Sequence, residues 1–380
     1  MKKIAMVLGH DLLIPNVDTR VYREAIALIK AGYEVTVFCW SRRLEKYETK
    51  WEVEKDGIKV VRVFEDLDGS FFSKVKSFKQ ALKKLEEKVR MYEPDLIHAH
   101  DLEILDVAVN IKKNTGTKII FDSHEDWPMM ERVQNWFIGK YYERKQKKLI
   151  GKVDALLTVS DELALRLGGG TVLYNSELLE TVNKPVLHDR FGLDGIVAGY
   201  IGALRRPILE ELLDAASKVN ALSVLIVGGP PKGQSGYSNM IEELEEVAVA
   251  KGANAKFTGP LPYSMMNECY AACDILMVGH YVDERLRDYA LPKKLLDAMA
   301  YKVPAIVGPY EARQKIVERY ECGIVTKDWA EALTTLANDR ELREEMGEKG
   351  YKAFKMNYSW ELQEKKMLNV YDDLLGMVKT

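Results

Sequence analysis

The sequence alternates between short apolar runs and longer stretches in which apolar residues recur at helical spacing. In the first half, apolar runs of strand length cover residues 3–8, 34–39, 96–99, 118–121 and 155–159. In the second half, such runs cover residues 196–201, 222–227, 255–258, 275–278 and 305–307. The helical stretches are residues 20–31, 74–91, 209–218, 240–251, 265–272 and 291–301. Strand–helix alternation with continuously apolar strands predicts parallel sheets that are covered by helices on both faces.

A polar, proline-containing break near residues 177–192 separates the two series of strands. We therefore expect an α/β protein of two doubly wound, Rossmann-like domains, covering residues 1–176 and 177–358. The sequence Tyr358-Ser359-Trp360 interrupts a helical pattern before a last helix. A terminal helix of this length needs an apolar partner, so we expect residues 359–380 to cross back onto the N-terminal domain.

Composition is that of a globular protein, with 47% hydrophobic and 30% charged residues among 380. The net charge of -3 gives no reason to expect nucleic acid as a partner. The basic and then apolar N-terminus stops at Gly9 without a small-residue cleavage site, which favours a strand over a signal peptide. No run approaches the ~18 apolar residues of a membrane span. The four cysteines show no paired metal spacing, so we expect reduced, buried thiols in a cytoplasmic protein.

The segment around Pro292 predicts an anion site at the start of a helix. Pro292 suits the first position of a helix, where its missing N–H is not needed. The amides of Lys293 and Lys294 would then point out of the helix end and, with the helix dipole, attract phosphate. Lys294 can add a full positive charge, and the carboxylate of Asp297 can accept hydrogen bonds from hydroxyls. These groups suit a nucleotide-sugar site, although an ordinary amphipathic helix before a core strand has the same pattern.

Polar residues that directly follow the first series of strands are candidates for chemistry, because ligands of open α/β sheets bind beyond the carboxyl ends of the strands. They include Gly9 and His10 after the first strand, and His124 and Glu125 after a strongly apolar one. Three of the six histidines follow strands that should be neighbours in one sheet. This clustering favours a catalytic role for His124, with Glu125 beside it, over an inert surface histidine.

In the second series, Arg205 and Arg206 lie between a strand and a helix, where guanidinium groups can neutralise a diphosphate. A solvated turn is the alternative. The sequence Gly228-Gly229-Pro230-Pro231 is no GxGxxG fingerprint, and the chain contains no GxxxxGK[ST]. Hydride chemistry and P-loop phosphoryl transfer are therefore disfavoured.

Two basic segments with interspersed apolar residues, 74–90 and 140–148, could lie on an anionic bilayer near a lipid-linked substrate. A solvated helix face is the more usual explanation for such runs.

The order and spacing of several short motifs identify a family. The chain resembles the retaining glycosyltransferases of the GT-B type, family 4-like or group 1, a large family that contains phosphatidylinositol mannosyltransferases and many polysaccharide enzymes. The motifs in the first half are DTRVYREA (18–25), AGYEV (31–35), DLIHAHD (95–101), FDSHE (121–125), DALLTVS (154–160) and LYNS (173–176). Those in the second half are GYIG (199–202), FTG (257–259), YAACD (270–274), the Pro292 segment, CGIV (322–325) and YSW (358–360).

The resemblance implies two parallel sheets facing an interdomain cleft, with a UDP- or GDP-linked donor bound mainly by the C-terminal domain and no cofactor or metal. It places Gly9 and His10 near the phosphates and acceptor, and His124 beside the donor sugar. It further implies a diphosphate clamp from Arg205 or Arg206 above the amides of Lys293 and Lys294, ribose contacts from Asp297, and Leu261 near the base. The acceptor would be a glycan or a lipid-linked glycan. Independently of the resemblance, we expect a cytoplasmic protein whose basic segments could make peripheral contact with the inner face of an anionic membrane.

The chain departs from the family pattern at three positions. The first of two paired acids is replaced by Tyr289, with Asp288 one residue away, the second is Asp297 in place of the usual, longer glutamate, and a common arginine is replaced by Ala203. A Leu-Pro-x-Lys-Leu branch of the family shares the first change. Two other functions therefore stay open: a non-catalytic partner that keeps the fold and binds a glycan, and an isomerase similar to UDP-N-acetylglucosamine epimerases.

Overall fold

The computed structural model describes residues 1–14, 17–41, 50–66, 69–176, 184–229, 239–279 and 291–376. The chain divides into two compact units. The first unit contains Met1–Asn175 and Glu361–Thr380, and the second contains Ser176–Trp360. Each unit is built around its own sheet.

The first unit contains an eight-stranded sheet of order β3-β4-β2-β1-β5-β6-β7-β8. The strands are β1 (Lys3–Leu8), β2 (Glu34–Ser41), β3 (Glu52–Lys55), β4 (Ile58–Phe64), β5 (Leu96–His100), β6 (Lys118–Ser123), β7 (Ala155–Thr158) and β8 (Thr171–Val172). All pair in parallel except β3, which pairs antiparallel with β4. The helices are α1 (Thr19–Lys30), α2 (Phe71–Tyr92), α3 (Leu102–Thr115), α4 (Trp127–Gln134), α5 (Trp136–Ile150) and α6 (Asp161–Leu167).

Side-chain caps fix several helix starts in this unit. Asp18 accepts a hydrogen bond from the Val21 amide at the start of α1, and Ser160 accepts one from Leu163 at the start of α6. These caps satisfy amides that lack a partner within the helix. They also hold the residues that follow β1 and β7 in defined positions.

The second unit contains a six-stranded sheet of order β11-β10-β9-β12-β13-β14, parallel throughout. The strands are β9 (Ile196–Ile201), β10 (Leu222–Val227), β11 (Asn254–Gly259), β12 (Ile275–Val278), β13 (Ala305–Val307) and β14 (Gly323–Val325). The helices are α7 (Lys184–Phe191), α8 (Arg206–Ala216), α9 (Met240–Lys251), α10 (Met266–Ala271), α11 (Lys293–Ala300), α12 (Glu311–Tyr320), α13 (Trp329–Asn338) and α14 (Arg340–Ala353).

A π-helical turn over Phe354–Tyr358 leads to the last helix, α15 (Trp360–Leu375). Most of α15 belongs to the first unit, where Tyr371 is fully buried. The Tyr371 hydroxyl lies 2.8 Å from Nδ1 of His98. The prediction that the C-terminal helix returns to the N-terminal domain is confirmed.

The predicted α/β class with two parallel, doubly wound sheets is also confirmed, and Cys39, Cys269, Cys273 and Cys322 are buried free thiols as expected. Strands β3, β4, β8 and β14 were not predicted. The hairpin of β3 and β4 turns at Asp56 and Gly57, both at positive φ, and β3 is a mostly exposed edge strand without an apolar run. Among the helices that the structure describes, none is long and apolar enough to cross a bilayer.

Candidate active site

The first unit gathers histidines and carboxylates at the carboxyl ends of β5 and β6. These strands are neighbours, and their register sets His100 opposite Asp122. His124 follows β6, and its Nε2 lies 3.1 Å from Asp122 Oδ2 and 3.2 Å from His100 Nδ1. The His124 amide donates to the Asp101 carboxylate at 3.0 Å. The predicted clustering of histidines at this sheet edge is therefore present in the structure.

A buried arginine organises this cluster. Arg20, on α1, donates to both carboxylate oxygens of Asp122 at 2.8 to 3.1 Å and to the Leu173 carbonyl at 2.8 Å. Burial opposes the charged form of Asp122, but Arg20 and then His124 hold the pKa of that carboxyl well below its usual range. Asp122 is thus an anion that fixes the imidazole of His124.

His124 is a cation at neutral pH. Burial disfavours its charge, but the carboxylates of Asp101 and Asp122 outweigh burial and raise the pKa of His124 to about 10. Its side chain keeps 15% of its surface exposed, so it can still meet a ligand. A protonated imidazole donates hydrogen bonds and stabilises negative charge, and it cannot act as a general base at neutral pH.

Glu24, His98, His100 and Asp122 each place one potential ligand atom within 4.8 Å of the others, and all four are buried. Among the described residues, Nε2 of His98 and Nε2 of His100 have no hydrogen-bond partner, and the Glu24 carboxylate forms an ion pair with Nε of Arg20 at 3.1 Å. The charge balance does not suit a divalent cation, because Arg20 and protonated His124 already oppose Asp122, while burial raises the pKa of Glu24 to about 8.

The loop after β1 holds Gly9 and His10. A Cβ on Gly9 would come within 1.6 Å of Glu103 Oε1, so a larger residue there would have to displace the Glu103 side chain. Nε2 of His10 lies 2.9 Å from Asp18 Oδ2. Burial opposes ionisation of Asp18, but the hydrogen bond from His10 and the charge of His124 lower the pKa of Asp18 to about 2. The structure thus brings His10 and His124 around one carboxylate, with Glu125 next to His124 in the chain.

The second unit gathers cations at the start of α11. The ammonium of Lys294 lies 4.2 Å from the centroid of the Tyr200 ring. Gly202, at φ +132 directly after β9, leaves the room that Lys294 occupies, since a Cβ there would lie 2.6 Å from Lys294 Cε. Burial, followed by the charges of Arg205 and Arg313, lowers the pKa of Lys294 to about 8. Within the described part of the chain, Lys294 forms no salt bridge.

The two candidate arginines differ in position. Arg205 is the N-cap residue of α8 and contributes to the electrostatic field at Lys294. Arg206 is the first residue of α8 and is exposed, paired with Glu210 at 2.7 Å and with Glu243. The structure therefore brings Arg205, and not Arg206, to the cations at the start of α11.

Pro292 is the N-cap of α11 and not its first helical residue, because its ψ of 128 is extended. The Leu295 amide donates to the Pro292 carbonyl at 3.0 Å. Asp297 is buried and accepts hydrogen bonds from Lys293 Nζ at 2.9 and 3.0 Å. Leu261 lies half-buried in the turn after β11. Tyr289 falls outside the described residues.

Sequence reasoning did not assign a role to Arg20, Asp122, Tyr200 or Arg313. Arg20 and Asp122 lie inside quoted motifs, but their ion pair joins positions 102 residues apart. Arg313, almost fully buried on α12, donates to the Gly279 carbonyl at 3.2 Å. Arginine side chains are rarely buried, and the burial of Arg313 could not be predicted from its sequence context.

The chain matches two family models, Glycosyltransferase Family 4 over residues 17–169 and Glycosyl transferases group 1 over residues 190–353. No curated protein matches its sequence. Among solved structures, sucrose-phosphate synthase from Thermosynechococcus elongatus is 17% identical with a TM-score of 0.77, and each chain is covered over 100% of its length. HepE from Anabaena, in complex with UDP and glucose, is 16% identical with a TM-score of 0.72, covering 98% of this chain and 100% of that one.

The lipopolysaccharide outer core galactosyltransferase WaaB, in its apo form, is 15% identical with a TM-score of 0.62, covering 98% of this chain and 99% of that one. At these identities the structural likeness shows the fold, which is GT-B. The two family models, which match consecutive parts of the chain, also show the family. The chain belongs to the family 4-like, group 1 glycosyltransferases of the GT-B fold.

Proposed function

We propose that this glycosyltransferase moves a hexose from a UDP- or GDP-linked donor to a glycan or lipid-linked acceptor with retention of anomeric configuration. The observation that carries the proposal is the set of cations in the second unit. Burial, and then the nearby charges of Arg205 and Arg313, lower the pKa of Lys294. Like charges held together in a partly buried site destabilise the empty protein and favour an anionic ligand.

The position of these cations fits a diphosphate. They meet at the start of α11, where the first amides of a helix have no acceptor within the helix and the dipole is positive. The bond between the anomeric carbon and the diphosphate oxygen breaks, so negative charge grows on the leaving group. Fixed cations and amides directed at that oxygen lower the barrier electrostatically.

Asp297 would hold the ribose hydroxyls and Leu261 would lie near the base. Two neighbours support a uridine nucleotide, since HepE was solved with UDP-glucose and the Escherichia coli trehalose-6-phosphate protein with UDP-2-fluoro glucose. Lys293 already occupies both oxygens of Asp297. A ribose would therefore share or replace that ammonium as the partner of the carboxylate.

The first unit would hold the acceptor and the sugar. Protonated His124 would donate a hydrogen bond to the donor sugar, because its pKa of about 10 excludes a role as base at neutral pH. In the retaining reaction of this family the acceptor oxygen attacks from the face that the diphosphate leaves. A new bond forms from the acceptor oxygen to the anomeric carbon, and the acceptor proton passes to the departing phosphate oxygen.

A donor and acceptor screen tests the proposal. UDP-, GDP- and ADP-hexoses are incubated with the protein, with and without candidate acceptors, and nucleotide release and product linkage are followed by NMR. We expect one nucleotide to stabilise the protein thermally and an α-linked donor to give an α-linked product. An inverted product would contradict retention, and the lack of stabilisation by any nucleotide would contradict the donor assignment.

The substitutions Tyr289 and Ala203 favour a second candidate, a non-catalytic partner that retains the nucleotide site. Binding of a nucleotide sugar without turnover, across all acceptors, would support that alternative. Product formed from donor alone would instead indicate an isomerase.

A further inference from the structure

Helix α5 presents an exposed face of aromatic and basic side chains. At 100° per residue, positions 137, 141, 144 and 148 fall within an arc of about 60°. Phe137 and Tyr141 are 77% and 61% exposed on this stripe, and Arg144 and Lys148 continue it as exposed cations. The opposite side of α5 is buried through Gly139, Gln146 and Leu149. We call the outward stripe, with flanking Trp136, Lys140 and Lys147, the aromatic–basic face.

The aromatic–basic face carries positive charge, and within the described ranges no acid forms an ion pair with its cations. Glu143 is the one acidic residue in α5, and it lies on the flank, paired with Arg132 of α4. Trp136 is 51% exposed and packs edge-on against Phe137, with ring centroids 5.1 Å apart. The Lys140 ammonium lies 4.8 Å from the Trp136 centroid. Large aromatic rings left in solvent beside unopposed cations are typical of a surface with a partner.

The face is held rigidly. Asn135 accepts hydrogen bonds from the amides of Phe137 and Ile138, which fixes the turn between α4 and α5. A Cβ on Gly139 would lie 2.6 Å from Arg132 Cα, so the two helices cross in close contact. The aromatic rings at the start of α5 therefore project from a fixed hairpin and lose little conformational entropy on binding.

The other basic segment, on α2, lacks these properties. Its two acids lie in the C-terminal half of the helix, where cations pair with them, as in Arg90 with Glu86 and Lys83 with Glu87. Its apolar positions Ala81, Leu85 and Val89 are fully buried in the core of the first unit. A solvated helix face explains α2, whereas it leaves the aromatic rings of α5 without an explanation.

We propose that the aromatic–basic face of α5 binds an anionic phospholipid bilayer. Trp and Tyr favour the membrane–water interface, Phe enters the acyl boundary, and Lys and Arg attract anionic headgroups. This chemistry selects a bilayer over a second copy of the chain, because two like-charged faces would repel each other. The inference does not depend on the proposed sugar transfer, and it selects one of the two segments that the sequence left open.

Co-sedimentation of the full chain with vesicles tests the inference. Because no nucleotide is present, a negative result would count against membrane binding and not against the proposed function. We expect binding to phosphatidylcholine vesicles that contain phosphatidylglycerol, weak binding to phosphatidylcholine alone, and release by salt. Trp136→Ser with Phe137→Ser should lower the partition coefficient about tenfold. Arg144→Glu with Lys148→Glu should lower it about thirtyfold.

The charge-matched control is Lys76→Glu with Lys79→Glu, two exposed positions on α2, which should leave the partition coefficient nearly unchanged. Circular dichroism of each variant checks that it is folded. The inference is overturned if the α5 variants bind vesicles as the parent does, or if the α2 control loses as much binding. It is also overturned if sedimentation velocity without vesicles shows a dimer that the Trp136 and Phe137 variant abolishes.

Discussion

Replacing Lys294 by methionine should stabilise the empty protein and weaken nucleotide binding. The ammonium of Lys294 is mostly removed from water beside Arg205 and Arg313, which lowers its pKa from 10.5 to about 8. Because each pKa unit corresponds to about 1.4 kcal/mol, the charge destabilises the folded state at pH 7 by up to about 3 kcal/mol. The partial exposure of Lys294 and the contact of its ammonium with the Tyr200 ring both reduce this destabilisation. Methionine keeps most of the aliphatic volume and removes the charge.

The sign of the pH dependence follows from the direction of the shift. Between pH 8 and 10.5 the unfolded chain binds more protons at Lys294 than the folded chain does, so this lysine makes stability rise with pH over that window. Its contribution is constant below pH 8. His124, whose pKa is raised from 6.5 to about 10, makes stability fall as the pH rises between these two values. The difference between parent and Lys294→Met isolates the lysine, since His124 is common to both.

Urea unfolding at pH 7 and pH 10, with calorimetric titration of UDP and GDP, measures both effects. We expect Lys294→Met to be more stable than the parent at pH 7 by about 1–3 kcal/mol, with most of the difference gone at pH 10. Nucleotide affinity should fall about 10- to 150-fold, since a hydrogen bond to a charged group is worth about 1.5–3 kcal/mol. Lys302→Met, at a surface lysine paired with Glu348, is the matched control. A destabilised variant, or unchanged affinity, would refute the reasoning.

Three further predictions test other parts of the site. Arg205→Ala should raise the nucleotide Kd about tenfold, whereas surface-paired Arg206→Ala should change it less than about twofold; equal effects in calorimetry would contradict the assignment. His124→Ala should lower kcat with a smaller loss of nucleotide affinity, and parent kcat should fall as pH rises through about 10; a kcat that instead rises as pH increases through 6.5 would indicate a base. Tyr371→Phe should cost about 1 kcal/mol in urea unfolding by removing the hydrogen bond to His98, and unchanged stability would show that this bond contributes nothing.

The histidine cluster could be predicted from the sequence, because the residues that follow parallel strands lie at the same edge of the sheet. The prediction required only the apolar runs of β5 and β6 and the types of the residues that follow them. The ion pair of Arg20 with Asp122 could not be predicted in this way, because the helical spacing of α1 does not show which strand the helix packs against. The pKa of His124 depends on that pair and on Asp101, so its charge state could not be derived from sequence.

Adjacent arginines show a second limit. The sequence predicted that Arg205 and Arg206 lie at the start of a helix, but it did not predict in which direction each side chain points. The backbone of Arg205 is extended at φ -126, while Arg206 enters the helix and pairs with Glu210 one turn on. The spacing of Arg206 and Glu210 at i and i+4 was visible in the sequence and predicts such a pair. Pro292 was misplaced by one position for a related reason, since N-cap and first helical residues are not distinguished by composition.

Crystals of the protein soaked with UDP- or GDP-hexose provide the most direct test of the central claim, that a nucleotide diphosphate binds at the start of α11. The account predicts density for the two phosphates within hydrogen-bond distance of Lys294 Nζ and the Arg205 guanidinium, with the ribose at Asp297. Well-defined nucleotide density elsewhere, with these side chains left in contact only with solvent, would contradict it.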